Sequence, residues 1–166
     1  MTAELKTMQN LFTMMNGMLT QMISEIDDDR FDEPLGEGNS PNWIVGHLAL
    51  GMEFAVSLLG GESEVLGDLM PVYGPGSPGG RIGDTGRSKE ELLELLERGF
   101  DRVNEALANV KPGQLEQPQK TTILEGPLPT VGDMLGHLLT THFGMHIGQL
   151  SAWRRATGME SILKLG

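Results

Sequence analysis

The stretch "LKTMQNLFTMMNGMLTQMISEI", residues 5–26, places apolar side chains at Leu5, Met8, Phe12, Met15, Leu19, Met22 and Ile26. These positions step by three and four in strict alternation. Such steps return to one side of an α-helix, so the pattern predicts an amphipathic helix with one face buried. A face of that kind needs apolar partners, and the rest of the chain decides whether they are helices or strands. The methionines in the seam read as flexible core filler rather than a box of soft ligands.

Acids, glycines and a proline in "DDDRFDEPLGEGNSP", residues 27–41, break this helix. A second follows in "SPNWIVGHLALGMEFAVSLLGG", residues 40–61. Ser40 can cap it, Pro41 suits its first position, and Gly60–Gly61 would stop it. From Gly60 to Arg87 the chain shows no period and reads as a long loop, of the sort that is functional or makes a crossover. Within it, "GPGSPGG" formally matches G-x-G-x-x-G at Gly74, Gly76 and Gly79. No strand precedes it and two prolines interrupt it, so a dinucleotide fingerprint is rejected.

Ser88 and Glu91 form a capping box for a third helix, whose stripe is Leu92, Leu96, Phe100, Val103, Leu107 and Val110. A polar linker, "QLEQPQKTTILEGPLP", leads to a fourth. Thr130 and Asp133 start it, Gly158 ends it, and its core line runs Val131, Leu135, Leu138, His142, Met145 or His146, Gln149 and Trp153. With no convincing strand and no repeat, the expectation is one all-α domain over residues 1–166, a four-helix bundle. The 60–87 segment is long enough to let helices two and three run parallel.

Composition removes several functions. The net charge is −11, from 23 acidic and 12 basic residues, which opposes a phosphate backbone. "WRRATG" at 153–158 is the one basic candidate, so no nucleic-acid partner is expected. No cysteine is present, which excludes disulfides, thiolate ligands and a cysteine nucleophile, and fits a reducing compartment. No run of about 18 apolar residues exists to span a membrane. The first residues lack the regions of a signal peptide. A cytoplasmic protein with no membrane partner is expected.

Four histidines remain. In "THFGMHIGQL", residues 141–150, His142 and His146 stand four apart and leave one helix face. Both fall on the apolar stripe, where an unpaired imidazole is poorly solvated. His47 is likewise embedded in an apolar helix. Three imidazoles from two helices are a donor set for a divalent transition metal when thiolates are absent, and they leave a coordination position open. A buried polar network is the alternative, and His47 joins the pair only if helices two and four touch. His137 lies about 140° around a regular helix from His142, so it cannot share their ion unless the helix is distorted. With Thr141 and Asp133 it reads as a polar flank or a subunit contact.

Taken together, "NWIVGHLA", the "VYGPGSPG" loop and "HLLTTHFGMHIGQLSAWRRATG" resemble the DinB/YfiT-like superfamily of bacterial four-helix-bundle metalloproteins. The similarity covers almost the whole chain, in order. Its most specific part is H-x-x-x-H-x-G-Q-L followed by an arginine pair and "TG". The resemblance implies a three-histidine metal site that maps to His47, His142 and His146. It also implies a long crossover between the second and third helices, and a homodimer. Characterised relatives include bacillithiol S-transferases and mycothiol-dependent isomerases. The implied activity is a metal-dependent thiol S-transferase acting on a small electrophile. Zinc or nickel is the expected ion, iron or manganese a further choice, and a low-molecular-weight thiol the co-substrate. The ion would favour the thiolate at neutral pH. A metal-dependent hydrolase and a non-catalytic metal- or ligand-binding bundle stay open. Gln149 is either a buried amide or a site residue. Arg154 and Arg155 either meet a thiol's carboxylates or, the favoured reading, complement the helix dipole.

Overall fold

The computed structural model describes residues 2–63, 65–77 and 86–162. Its helices are α1 (Ala3–Ser24), α2 (Pro41–Leu58), α3 (Leu66–Tyr73), α4 (Lys89–Ala108), α5 (Val131–Gly136) and α6 (Phe143–Ala156). A π-helical turn, His137–His142, joins α5 to α6. Among the described residues there is no strand, only an isolated bridge between Pro118 and Thr130. The protein is all-α, as its periodicities predict.

Local chemistry sets the boundaries. The Ser40 hydroxyl accepts from the Trp43 amide and Pro41 opens α2. Ser88 with Glu91 caps α4 reciprocally, and Thr130 with Asp133 caps α5 in the same way. Past α2 and α6 the chain turns through Gly60 and Gly158, at φ of 87° and 84°, a conformation that glycine adopts without steric cost.

Named contacts give the direction of each helix. Along α2 and α4 they rise together: Asn42 donates to the Arg87 carbonyl, Gly99 meets Met52, and Arg102 pairs with Glu53. These two helices run parallel. On α1 and α4 the order reverses, with Gln9 on Asn104 and Lys89 on the Ile26 carbonyl. The α5–α6 rod follows α1, since Phe143 meets Phe12 and Arg154 reaches the Met22 carbonyl. The bundle is therefore up, down, down, up. At its centre the buried Phe12 ring lies 5.2 Å from Phe100 and 5.4 Å from Phe143.

Two expectations need correction. The 60–87 segment is not all loop: Leu66–Tyr73 forms α3, which buries Leu69 and Tyr73. Its eight residues are too few for periodicity to show against the surrounding glycines. Gly79 of the G-x-G-x-x-G match lies outside the described residues. The 114–129 linker leads to α5 as expected, and its buried Gln119 amide donates to the carbonyls of Ile123 (3.1 Å) and Leu128 (2.6 Å).

The second correction concerns the fourth helix. Val131, Leu135, Leu138, His146 and Trp153 of the expected line are buried, but Leu139, Phe143, Ile147 and Leu150 are buried beside them, while Gln149 is exposed and Met145 is 53% exposed. Steps of four drift about 40° each on a regular helix, so Leu135 and Ile147 would stand about 120° apart. The π turn is wider, with i→i+5 bonding, and takes up part of that drift. Thr140 and Thr141 donate their hydroxyls to the Gly136 and His137 carbonyls, four residues back.

Candidate metal centre

His47 lies on α2, His142 ends the π turn and His146 lies on the first turn of α6. Each offers a ring nitrogen, and the three atoms lie within 4.8 Å of one another. His47 Nε2 and His142 Nε2 are 3.0 Å apart. Two imidazole nitrogens on one tetrahedral zinc stand about 3.3 Å apart, from zinc–nitrogen bonds of about 2.0–2.1 Å. Helices two and four do touch, and they touch here.

The surroundings fix the tautomers of two rings. His47 Nδ1 is 2.6 Å from the Tyr73 carbonyl, which can only accept, so Nδ1 carries the proton and Nε2 presents a lone pair. Tyr73 is the last residue of α3, and its carbonyl is one of those left without a partner inside the helix. His146 Nδ1 donates across 2.9 Å to Gln149 Oε1, which again leaves Nε2 free. Trp43 stacks on His47, with centroids 4.5 Å apart and planes 10° apart, and its indole donates to Ser77 Oγ. His142 differs: its Nδ1 is buried without a partner among the described residues, beside Gly51.

Burial holds all three rings neutral. It pushes the His47 pKa down, against the pull of the Tyr73 carbonyl. Burial, helped by repulsion from His146, His47 and His137, takes His142 down to about 3. His146 falls to about 4 through burial and repulsion from His47, with Gln149 opposing. At neutral pH the lone pairs are not occupied by protons, which is what a divalent cation requires of imidazole. If His142 donates from Nε2 to His47 Nε2, its buried Nδ1 becomes a lone pair with no partner among the described residues; with the proton on Nδ1, both Nε2 lone pairs face each other, as two ligands of one ion do. The donor set and its geometry fit a transition-metal ion.

A sequence profile of the DinB superfamily matches residues 11–150, a span that contains all three histidines. The chain belongs to the DinB superfamily. No curated protein matches it.

In this DinB chain the "W-x-x-G-H" segment has a physical reading that sequence alone did not supply. Trp43 supports the ring of His47. A β-carbon on Gly46 would stand 2.3 Å from the Tyr73 ring, so glycine here lets α3 approach until its terminal carbonyl reaches His47. The signal was a glycine inside an apolar helix, which costs about 1 kcal/mol relative to alanine and implies a close neighbour. Gln149 takes the site role, as an exposed residue that orients His146. His137 is displaced from its expected place. It bonds Thr141 at 2.8 Å as foreseen, yet the helix is distorted, and the π turn brings its ring centroid to 5.5 Å from His142. It lines the cavity over the site rather than an outer flank. Arg154 stands apart from the site: it is buried against the Met22 and Glu160 carbonyls and Glu25, and ties α6 to the end of α1. Arg155 is exposed. No described helix is long and apolar enough to cross a membrane.

Proposed function

We propose that this protein is a divalent-transition-metal enzyme, with His47, His142 and His146 as ligands, that joins a low-molecular-weight thiol to a small electrophile in the cytoplasm. The observation that carries the reading is the inward convergence of three neutral imidazole nitrogens, two of them held in the correct tautomer by outer partners. Such partners orient ligands and raise their basicity. The three rings line a cavity of about 280 Å³, and an ion held by three protein ligands would keep a position open for substrate. An ion held there would lower the pKa of a thiol at that position and so supply thiolate at neutral pH.

The chain's own part is to hold and exclude. Trp43 and the Tyr73 carbonyl fix His47, Gln149 fixes His146, and the apolar walls keep bulk water from the reacting pair. In the transfer, the thiol's S–H proton leaves to solvent and a sulfur–carbon bond forms. The electrophile's leaving group departs with its bonding electron pair.

Elemental analysis of untagged protein should give about one zinc or nickel per chain, lost in both His47→Ala and His142→Ala. The loaded protein should then consume 1-chloro-2,4-dinitrobenzene with an added thiol, releasing chloride. Ester or amide turnover without thiol would instead establish a hydrolase. Metal binding with neither activity would leave a binding protein.

A further inference from the structure

The cavity over the imidazoles has walls at odds with the rest of so acidic a chain. The protein carries 23 acidic and 12 basic residues, yet none lines this space among the described residues. Phe54, Met134 and Leu138 form its sides, and the rings of His47, His137, His142 and His146 supply its polar atoms. Its mouth is apolar as well. Seven large hydrophobic side chains are strongly exposed among the described residues, and Met70, Ile123, Leu124 and Met145 of these ring the cavity. Scattered apolar exposure is ordinary, whereas exposure gathered at one concave site marks a binding surface.

Leu124 adds an independent observation. Its φ of 54° is the sole left-handed value at a non-glycine among the described residues. For a leucine that conformation costs about 1–2 kcal/mol, and it persists only where the surroundings over-determine it. Here they do. The Gln119 amide spans the loop to the Ile123 and Leu128 carbonyls, Thr121 donates to Gln119 Oε1, and the Leu128 amide bonds the Leu124 carbonyl. A buried polar scaffold thus holds a strained loop so that two aliphatic side chains stand at the mouth of the site.

We infer that the cavity takes an uncharged small molecule with an apolar body, its one electron-rich atom directed toward the three imidazoles. That last contact rests on the metal-centre reading; the preference for an uncharged apolar body does not. A carboxylate inside these walls would lose its hydration and meet no cation among the described residues, whereas an aromatic or aliphatic body replaces water on apolar carbon. Arg154, the nearest thing in sequence to an anion clamp, is committed to Glu25 and two carbonyls.

The test compares probes of matched size. Calorimetry on metal-free protein should show benzyl alcohol binding at least tenfold tighter than benzoate. Leu124→Asn keeps a residue that tolerates the left-handed backbone but removes the aliphatic contact. It should weaken benzyl alcohol several-fold while leaving the thermal midpoint unchanged or raised. Leu124→Gly repeats the test should the asparagine variant fail to fold. Equal or tighter binding of benzoate, or no binding of either probe, overturns the inference. On cobalt-loaded protein, the sulfur-to-cobalt charge-transfer band should saturate at lower phenylmethanethiol than 3-mercaptopropanoate, and the reverse order counts against it. Preference for benzyl alcohol in a protein that takes up no cobalt would support the cavity's selectivity while removing the metal reading.

Discussion

Gln149 shows how much one exposed residue can decide. It is exposed, and its value lies in the 2.9 Å bond that holds the His146 proton on Nδ1. Gln149→Ala should weaken metal binding about 10- to 100-fold, the usual effect of losing an outer partner of a ligand. Competition with a chromogenic chelator measures that loss, and an unchanged melting midpoint of the metal-free variant would separate it from misfolding. The imidazoles also give the metal-free fold a pH dependence of definite sign. Burial lowers the pKa of His47, His142 and His146 in the folded state, whereas in the unfolded chain they titrate near 6.5. Below about pH 6.5 the unfolded state binds more protons, so stability is lost as the pH falls from there through about 4 and on to about 3. Urea melts of metal-free protein at pH 7.5 and 5.5 should show that loss. His142→Gln should show a smaller one, and equal losses would mean the His142 ring is not held neutral.

Among the elements, legibility followed repetition. The α1 seam, the Ser40–Pro41 start, and the Ser88–Glu91 and Thr130–Asp133 boxes were readable because each rests on local spacing or a local hydrogen bond. The His142–His146 pair was readable for the same reason. Features made by contact between distant elements were not. Nothing near Tyr73 reveals that its carbonyl meets His47, and nothing in "HLLTTH" marks a π turn until the paired threonines are seen bonding backward. His137 stays outside the group of three, as expected, but it lines the cavity instead of an outer flank, because 100° per residue fails across that turn. The α2–α3 contact gives a direct test. A methyl group at residue 46 would collide with the fully buried Tyr73 ring. Gly46→Ala should cost about 1–3 kcal/mol, as overpacking does. It should also lower metal affinity, by lifting the Tyr73 carbonyl from His47. Denaturant melts and chelator competition should move together; a stability loss with unchanged affinity would mean that the carbonyl does not orient the ligand.

At the scale of the molecule, the histidine cluster joins two antiparallel helices through residues 95 apart in sequence, His47 and His142. The core does not depend on that junction. Phe12, Phe100 and Phe143 pack at the middle of the bundle, Arg154 fastens the ends of α1 and α6, and the Glu53–Arg102 pair fastens α2 to α4. Metal should therefore stabilise a fold that already exists, unlike a small domain whose folding is metal binding. A ligand at 100 times its dissociation constant adds about 2.7 kcal/mol. For a chain of this length each kcal/mol moves the midpoint by about 2–4 °C, so stripping the ion should lower it by about 5–10 °C. Far-UV circular dichroism at 25 °C should stay the same before and after chelation, and re-addition of zinc should restore the midpoint. His47→Ala should melt at one temperature with or without chelator, because two imidazoles on one helix no longer bridge to the other. Loss of helical signal on chelation would show instead that the ion is part of the folding core, and that the apolar packing around Phe12 is too weak to hold the bundle closed by itself.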